Sequence, residues 1–310
     1  MTRAVVFAYH NVGVRCLKVL LAQGIDIALV VTHQDNPNET IWFDSVARTA
    51  ADYGIPVATP ENPNTPAFLA RLEDLRADFL FSFYYRHMLK PALLGTASRG
   101  AYNMHGSLLP KYRGRVPINW AVLRGETETG ATLHRMVEKP DAGEIVAQQA
   151  VPILPDDTAR EVFDKVVVAA EICLAGVLPR LLQGDAPHLP MDLKAGGYFG
   201  GRKAEDGRID WTKPAREIHN LVRAVAPPYP GAFFDLPDGR RLRVLRSLPA
   251  PTRAPRHATP TLYRDGADVL VDCADGRVLR LLAWDGTWDG STINLAATLA
   301  ATLAGTARSL

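Results

Sequence analysis

Short apolar runs alternate with amphipathic stretches through the first half of the chain. Arg3 to Tyr9 and Asp26 to Thr32 are apolar runs of strand length, the second rich in β-branched residues. Gly13 to Gln23, ended by Gly24, and Ile41 to Tyr53, ended by Gly54, have helical spacing with a glycine stop. Ile55 to Ala58 predicts a short strand, Pro66 to Leu75 a helix, and Asp78 to Phe83 a buried strand. This order implies βαβ units around a mostly parallel sheet. After a strand over Asn103 to His105 comes a loop, then a short helix near Ile118 to Leu123.

Thr132 to Val137 and Ile145 to Ile153 alternate apolar and polar residues, as half-buried strands do. Thr158 is placed to cap a helix reaching about Leu182, with Glu161 at the capping-box position. Gln183 to Gly207 is rich in Gly, Pro and polar residues and marks a boundary. Beyond it, Pro214 to Val225 predicts a helix. Ala232 to Leu236, Leu242 to Leu248, Thr261 to Tyr263, Val269 to Asp272 and Val278 to Trp284 then predict the strands of a small antiparallel β-barrel. The run Ala296 to Ala304 reads as a closing helix. The expected organisation is an α/β Rossmann-like domain over 1–190, a linker over 191–206 and a β domain over 207–310.

Composition narrows this picture a little. With 310 residues, 47% hydrophobic and 22% charged, the chain suits one large or two smaller soluble domains. A formal charge of +2 offers no general reason to bind nucleic acid. Cys16, Cys173 and Cys273 are few, odd in number and far apart, which argues for a reducing compartment and against a disulfide framework or a metal site. No apolar run is long enough to span a bilayer, and Ala4 to Ala8 is too short for a signal segment. A cytoplasmic protein without membrane insertion is expected. The turn after the first strand, Tyr9-His10-Asn11-Val12-Gly13, lacks the three glycines of a dinucleotide fingerprint, so a nicotinamide cofactor is not expected.

The candidate chemistry centres on Asn103 and His105. Residues i and i+2 of a strand point to one face, so an amide and an imidazole lie side by side just before Gly106. An amide N–H can steady an oxyanion, and an imidazole can move a proton near neutral pH. Asp141, in Lys139-Pro140-Asp141-Ala142-Gly143, is a carboxylate available to that imidazole. On spacing alone a capped turn with a buried histidine explains the pair equally well. Lys111, Arg113 and Arg115 form either the floor of an anion site or a solvated face, and His134, inside an alternating strand, reads as structural.

The run Asn103-Met104-His105-Gly106-Ser107-Leu108-Leu109-Pro110-Lys111-Tyr112-Arg113-Gly114 resembles the hallmark of N10-formyltetrahydrofolate-dependent formyltransferases. Asp141-Ala142-Gly143-Glu144-Ile145 is similar to their second hallmark, an Asp-x-Gly before a strand. The resemblance covers nearly the whole chain and implies a Rossmann-like catalytic domain followed by an OB-like β-barrel. It implies that Asn103 stabilises the transition state, that His105 transfers the proton, and that Asp141 orients His105 and raises its pKa. The formyl donor, N10-formyltetrahydrofolate, would lie along His87, Met88, Leu89, Arg115 and the segment Val137, Glu138, Lys139, Pro140, where strand backbone would pair with the pterin edge.

Within the family, Val5 to His10, Phe81 to His87, Gly125 to Gly130 and Thr132 to Met136 look most like the branch that formylates UDP-4-amino-4-deoxy-L-arabinose in lipid A modification and polymyxin resistance. A small nucleotide-sugar partner is therefore expected. That branch is often fused to a decarboxylating dehydrogenase; the chain ends at Leu310, so a separate dehydrogenase partner is the corresponding expectation. Methionyl-tRNA formyltransferase is the main competitor. Its loop after the second strand is typically basic, whereas His33-Gln34-Asp35-Asn36-Pro37-Asn38-Glu39-Thr40 holds two acids and no lysine or arginine. Formylation of another nucleotide-linked amino sugar, such as a dTDP-linked one, is a nearer competitor. A hydrolase of the formyl donor and a non-catalytic binding protein fit the residues less well.

Overall fold

The computed structural model describes residues 1–37 and 39–296. They fall into two compact units. The first comprises Met1–Ile118, Glu128–Pro152 and Phe163–Gly200; the second takes Asn119–Thr127, Ile153–Val162 and the chain from Gly201 onward.

The first unit is built on β1 (Arg3–Ala8), β2 (Asp26–Val31), β3 (Val57–Ala58), β4 (Phe79–Phe83), β5 (Ala101–His105), the two-residue β6 (Arg113–Gly114), β7 (Glu128–Arg135) and β8 (Ile145–Pro152). Seven of these form one sheet in the order β3-β2-β1-β4-β5-β7-β8. The first five run parallel, and β7 and β8 turn antiparallel at one edge. The expected mostly parallel α/β sheet is present. Buried on both faces, β1 and β4 carry almost uninterrupted apolar side chains, as parallel strands do. The order reverses between β1 and β4, the kind of place where α/β sheets open a crevice at their carboxyl ends.

The helices are α1 (His10–Ala22), α2 (Val46–Asp52), α3 (Pro66–Leu75), α4 (Pro91–Leu94), α5 (Pro117–Leu123), α6 (Ala159–Gln183) and α7 (Ala215–Val225). At the start of α6, Glu161 N–H donates to Thr158 Oγ1 while Thr158 N–H donates to the Glu161 carboxylate, the reciprocal cap the sequence predicts. Two expected elements differ. The helix expected from Ile41 starts at Val46, because Ser45 caps it by accepting from Arg48 N–H. Ahead of that cap, Trp42 and Phe43 pack their rings on His10, so the apolar run Ile41-Trp42-Phe43 serves ring packing rather than a helix face. The strand expected over Thr132 to Val137 runs from Glu128 to Arg135. Residues 137–140 are therefore a turn, bounded by Pro140 and by Asp141 at a left-handed φ of 49°.

A parallel two-residue pairing joins β6 to β9 (Tyr198–Phe199) within the first unit. The second unit carries β10 (Ala232–Asp235), β11 (Arg241–Pro249), β12 (Thr261–Asp265), β13 (Asp268–Asp272), β14 (Val278–Asp285) and β15 (Ile293–Asn294). These make one antiparallel curled sheet in the order β10-β11-β14-β13-β12-β15, the small β domain that was expected. Its core joins Ile218 and Val222 of α7 to Val244, Leu262, Val271 and Leu279 of the sheet, with Trp211 beside them. Apart from its first residue, the helix expected over 296–304 lies outside the described residues. No helix among the described residues is long and apolar enough to cross a membrane.

Candidate active site

Strand β5 ends the parallel part of the sheet, with β4 on one side and β7 on the other. Its register sets Asn103 opposite Ser82 and His134, and His105 opposite Thr132. Asn103 is half-buried and His105 is 6% exposed. A Cβ on Gly106 would meet the Tyr84 hydroxyl, just past β4, so a side chain here would require that ring to shift. The loop that follows is pinned from the neighbouring strands. Thr132 Oγ1–H donates to the Ser107 carbonyl (2.6 Å) and Gln148 Nε2–H to the Leu109 carbonyl (2.8 Å).

The partners of His105 assign its protons. Nε2 lies 2.8 Å from the Tyr112 carbonyl, which can only accept, so Nε2 carries hydrogen and donates. Nδ1 is left to titrate, and it faces Asp141 Oδ1 at 3.7 Å. Asp141 in turn accepts from Gly114 N–H through Oδ2 (2.9 Å). Gly114 has φ +99°, and a Cβ there would strike the Phe199 carbonyl, so glycine is needed for the close approach. Burial pushes the His105 imidazole below its ordinary value. Asp141 and the Tyr112 carbonyl push the other way and are outweighed. Asp141 does act on His105 in the expected, pKa-raising direction, but dehydration of the buried ring outweighs it and the net shift is downward. Burial also works to raise the Asp141 carboxyl, but His105, His134 and the Gly114 N–H together hold it well below the usual carboxylate range.

His134 is a fourth member of this cluster. Its Nδ1–H donates to the Arg135 carbonyl (2.9 Å), which turns Nε2 toward Asn103. Asn103 Nδ2–H donates to that Nε2 at 3.1 Å, which fixes the way the amide faces. His134 Nε2 also lies 3.5 Å from Asp141 Oδ1. The reading of His134 as a structural residue misses this. Thr132 and His134 share a face by the same period-two rule as Asn103 and His105, but only the antiparallel register shows that the two pairs meet.

Two family descriptions match the chain: "Formyl transferase" over residues 4–178 and "Formyl transferase, C-terminal domain" over residues 202–284. The chain belongs to the formyl transferase family. Its fold recurs in solved structures at low identity. An N-formyltransferase from Helicobacter canadensis, in complex with folinic acid and dTDP-3-aminofucose, is 20% identical with a TM-score of 0.72, over 91% of this chain and 99% of that one. A sugar N-formyltransferase from Shewanella sp. is 18% identical with a TM-score of 0.64, over 79% and 96%. HypX from Aquifex aeolicus, in complex with tetrahydrofolic acid, is 16% identical with a TM-score of 0.63, over 96% of this chain and 46% of that one.

In this formyltransferase the residues expected to contact the donor stand on three loops. His87 and Met88 are exposed after β4, Met88 at 55%. Leu89 is buried in the core with Leu93, so only its backbone is free to take part. Arg115 is exposed, and its N–H donates to the Phe199 carbonyl. Val137, Glu138 and Lys139 are exposed and Pro140 half-buried on the turn that leads into Asp141. The backbone there is a turn where a strand was expected, because β7 has already ended at Arg135. Arg113 belongs to the scaffold: its guanidinium is buried and donates to the Leu193 and Gly196 carbonyls, leaving Lys111 and Arg115 as the exposed cations of the loop.

Non-glycine residues with positive φ gather around these loops: His10 after β1, Tyr84 after β4, Tyr112 and Val116 beside β6, and Asp141 before β8. Such conformations cost about 1–3 kcal/mol each and persist where the surroundings hold them.

Proposed function

We propose that this formyltransferase moves the formyl group of N10-formyltetrahydrofolate to the amine of a nucleotide-linked amino sugar, with UDP-4-amino-4-deoxy-L-arabinose as acceptor. The observation that carries this reading is the convergence of an oriented amide, a neutral imidazole and an ionised carboxylate: Asn103, His105 and Asp141. The sugar amine, as free base, attacks the formyl carbon. The tetrahedral oxyanion is held by the Asn103 amide, whose rotation His134 restrains. His105 Nδ1 takes the proton shed by the nitrogen, and the imidazolium so formed lies against Asp141. The same proton then goes to the folate nitrogen as the C–N bond breaks and tetrahydrofolate leaves. His87, Met88, the Leu89 backbone, Arg115 and the 137–140 turn form the donor side.

The UDP-arabinose acceptor, and with it a part in lipid A modification and polymyxin resistance, rests on the motif resemblance. A dTDP-linked amino sugar is the second reading, favoured by the acceptor bound in the Helicobacter canadensis neighbour. Transfer RNA is disfavoured by charge. Asp35 accepts from Tyr9 O–H and Glu39 pairs with Arg86, so the loop after β2 offers no cation to phosphate. Of the six arginines from Arg240 to Arg256, all but Arg246 lie in ion pairs with aspartate or glutamate. Side-by-side turnover of UDP- and dTDP-linked 4-amino and 3-amino sugars separates the two acceptors. Faster release of tetrahydrofolate with the UDP-4-amino sugar supports the first reading, and activity confined to a dTDP sugar replaces it with the second.

A further inference from the structure

The segment from Arg86 to Lys90 carries three of the residues placed on the donor side, and it is gripped from two directions. From the loop after β2, His33 Nε2 accepts the Arg86 backbone N–H at 2.9 Å. Glu39 takes the Arg86 guanidinium through three contacts of 2.9–3.0 Å. The same guanidinium lies over the Tyr9 ring at 4.7 Å, and Tyr9 O–H donates to Asp35 at 2.8 Å. His33 stacks on Tyr85, the residue before Arg86, at 4.2 Å between ring centres. From the turn before α3, Asn64 Nδ2–H donates to the Met88 carbonyl and Asn64 Oδ1 accepts from Lys90 N–H, both at 2.8 Å.

Such a grip is poorly explained as a device for stability. Arg86 and Glu39 are 47% and 38% exposed, where ion pairs contribute little to folding. What it does is tie the backbone at Arg86, Met88 and Lys90 while His87 and Met88 stand exposed. A binding loop already in its bound shape avoids the ordering cost that a mobile one meets on association.

We propose that Asn64 and the Arg86–Glu39 pair are positioning residues that preform this segment for the formyl donor. The inference rests on the proposed donor side and adds residues that do not touch the donor themselves. It also gives Glu39, in the loop after β2, a task in this fold: it ties that loop to the donor segment.

Asn64→Ala and Glu39→Gln, made in the full chain, test it. The KM for N10-formyltetrahydrofolate rises about fivefold in each, as expected for losing one well-formed hydrogen-bonded grip. The kcat and the KM for the acceptor stay within about twofold of wild type, since the reacting groups are untouched. Amide hydrogen exchange speeds up over 86–90 in both variants, and Glu39→Asp, which keeps the charge, recovers part of the donor KM. A donor KM unchanged in both variants, with wild type active, overturns the inference. So does an equal change in kcat and in both KM values, the mark of a merely structural role. A wild-type chain with no donor-dependent turnover overturns the proposed function itself, and the donor role of this segment with it.

Discussion

His105 has one nitrogen committed and one left to work. Nε2–H is spent on the Tyr112 carbonyl, so every proton the ring gains or loses passes through Nδ1, in front of Asp141. The negative charge of Asp141 therefore stabilises the imidazolium without being strong enough to keep the ring charged at rest. Asp141→Asn lowers the His105 pKa further. The acid limb of kcat, set by the neutral ring, moves to lower pH in that variant, and its plateau falls because the imidazolium loses its partner; a pH–rate profile of both proteins checks this. Asn103→Ala leaves the oxyanion without its side-chain donor and cuts kcat by roughly 10²–10³-fold while the chain stays folded, as measured by turnover beside circular dichroism. At the level of stability the two groups act with one sign. His105 has its pKa lowered by folding, so its contribution is complete above its unfolded value and fades as pH falls toward the lower, folded one. Asp141, also lowered, contributes above its unfolded value and loses its contribution as pH falls through the folded one. Together they make the chain less stable in acid.

Among the elements, the two-residue β6 anchors the Asp141 carboxylate. Gly114 turns its N–H to Asp141 while its bare Cα lets the Phe199 carbonyl of β9 come close. Gly114→Ala meets both a steric clash and an unfavourable φ. It destabilises the chain by about 1–3 kcal/mol and lowers kcat as well, because the carboxylate loses its backbone anchor; denaturant unfolding with parallel kinetics reads both effects. What the chain shows before it folds is local. The period-two spacing of Asn103 and His105 and the Thr158–Glu161 cap are legible, since each depends on residues a few positions apart. The start of α2 is not, because Ile41-Trp42-Phe43 looks like a helix face until His10 is seen to claim the two rings. The place of His134 is hidden for a similar reason: which residue stands opposite Asn103 is decided by a register across 31 positions of chain. The net pKa of His105 is equally beyond local reading, because a nearby carboxylate and deep burial push it opposite ways.

Over the whole molecule the formal charge is close to neutral. The near-neutral total of +2 is matched by pairing on the surface, where the arginine-rich β11 and the loop after it are answered by Asp235, Asp285, Asp265 and Asp268. A transfer-RNA substrate needs unpaired cations along its path, and its binding would weaken steeply with salt. The most direct measurement is the mass of the acceptor after incubation with N10-formyltetrahydrofolate and a panel of nucleotide-linked amino sugars, with Asn103→Ala as control. The account predicts that the UDP-linked 4-amino sugar gains one formyl group with the wild-type chain and almost none with the variant. No formylated sugar nucleotide of any kind, alongside formylation of charged initiator tRNA, would contradict it.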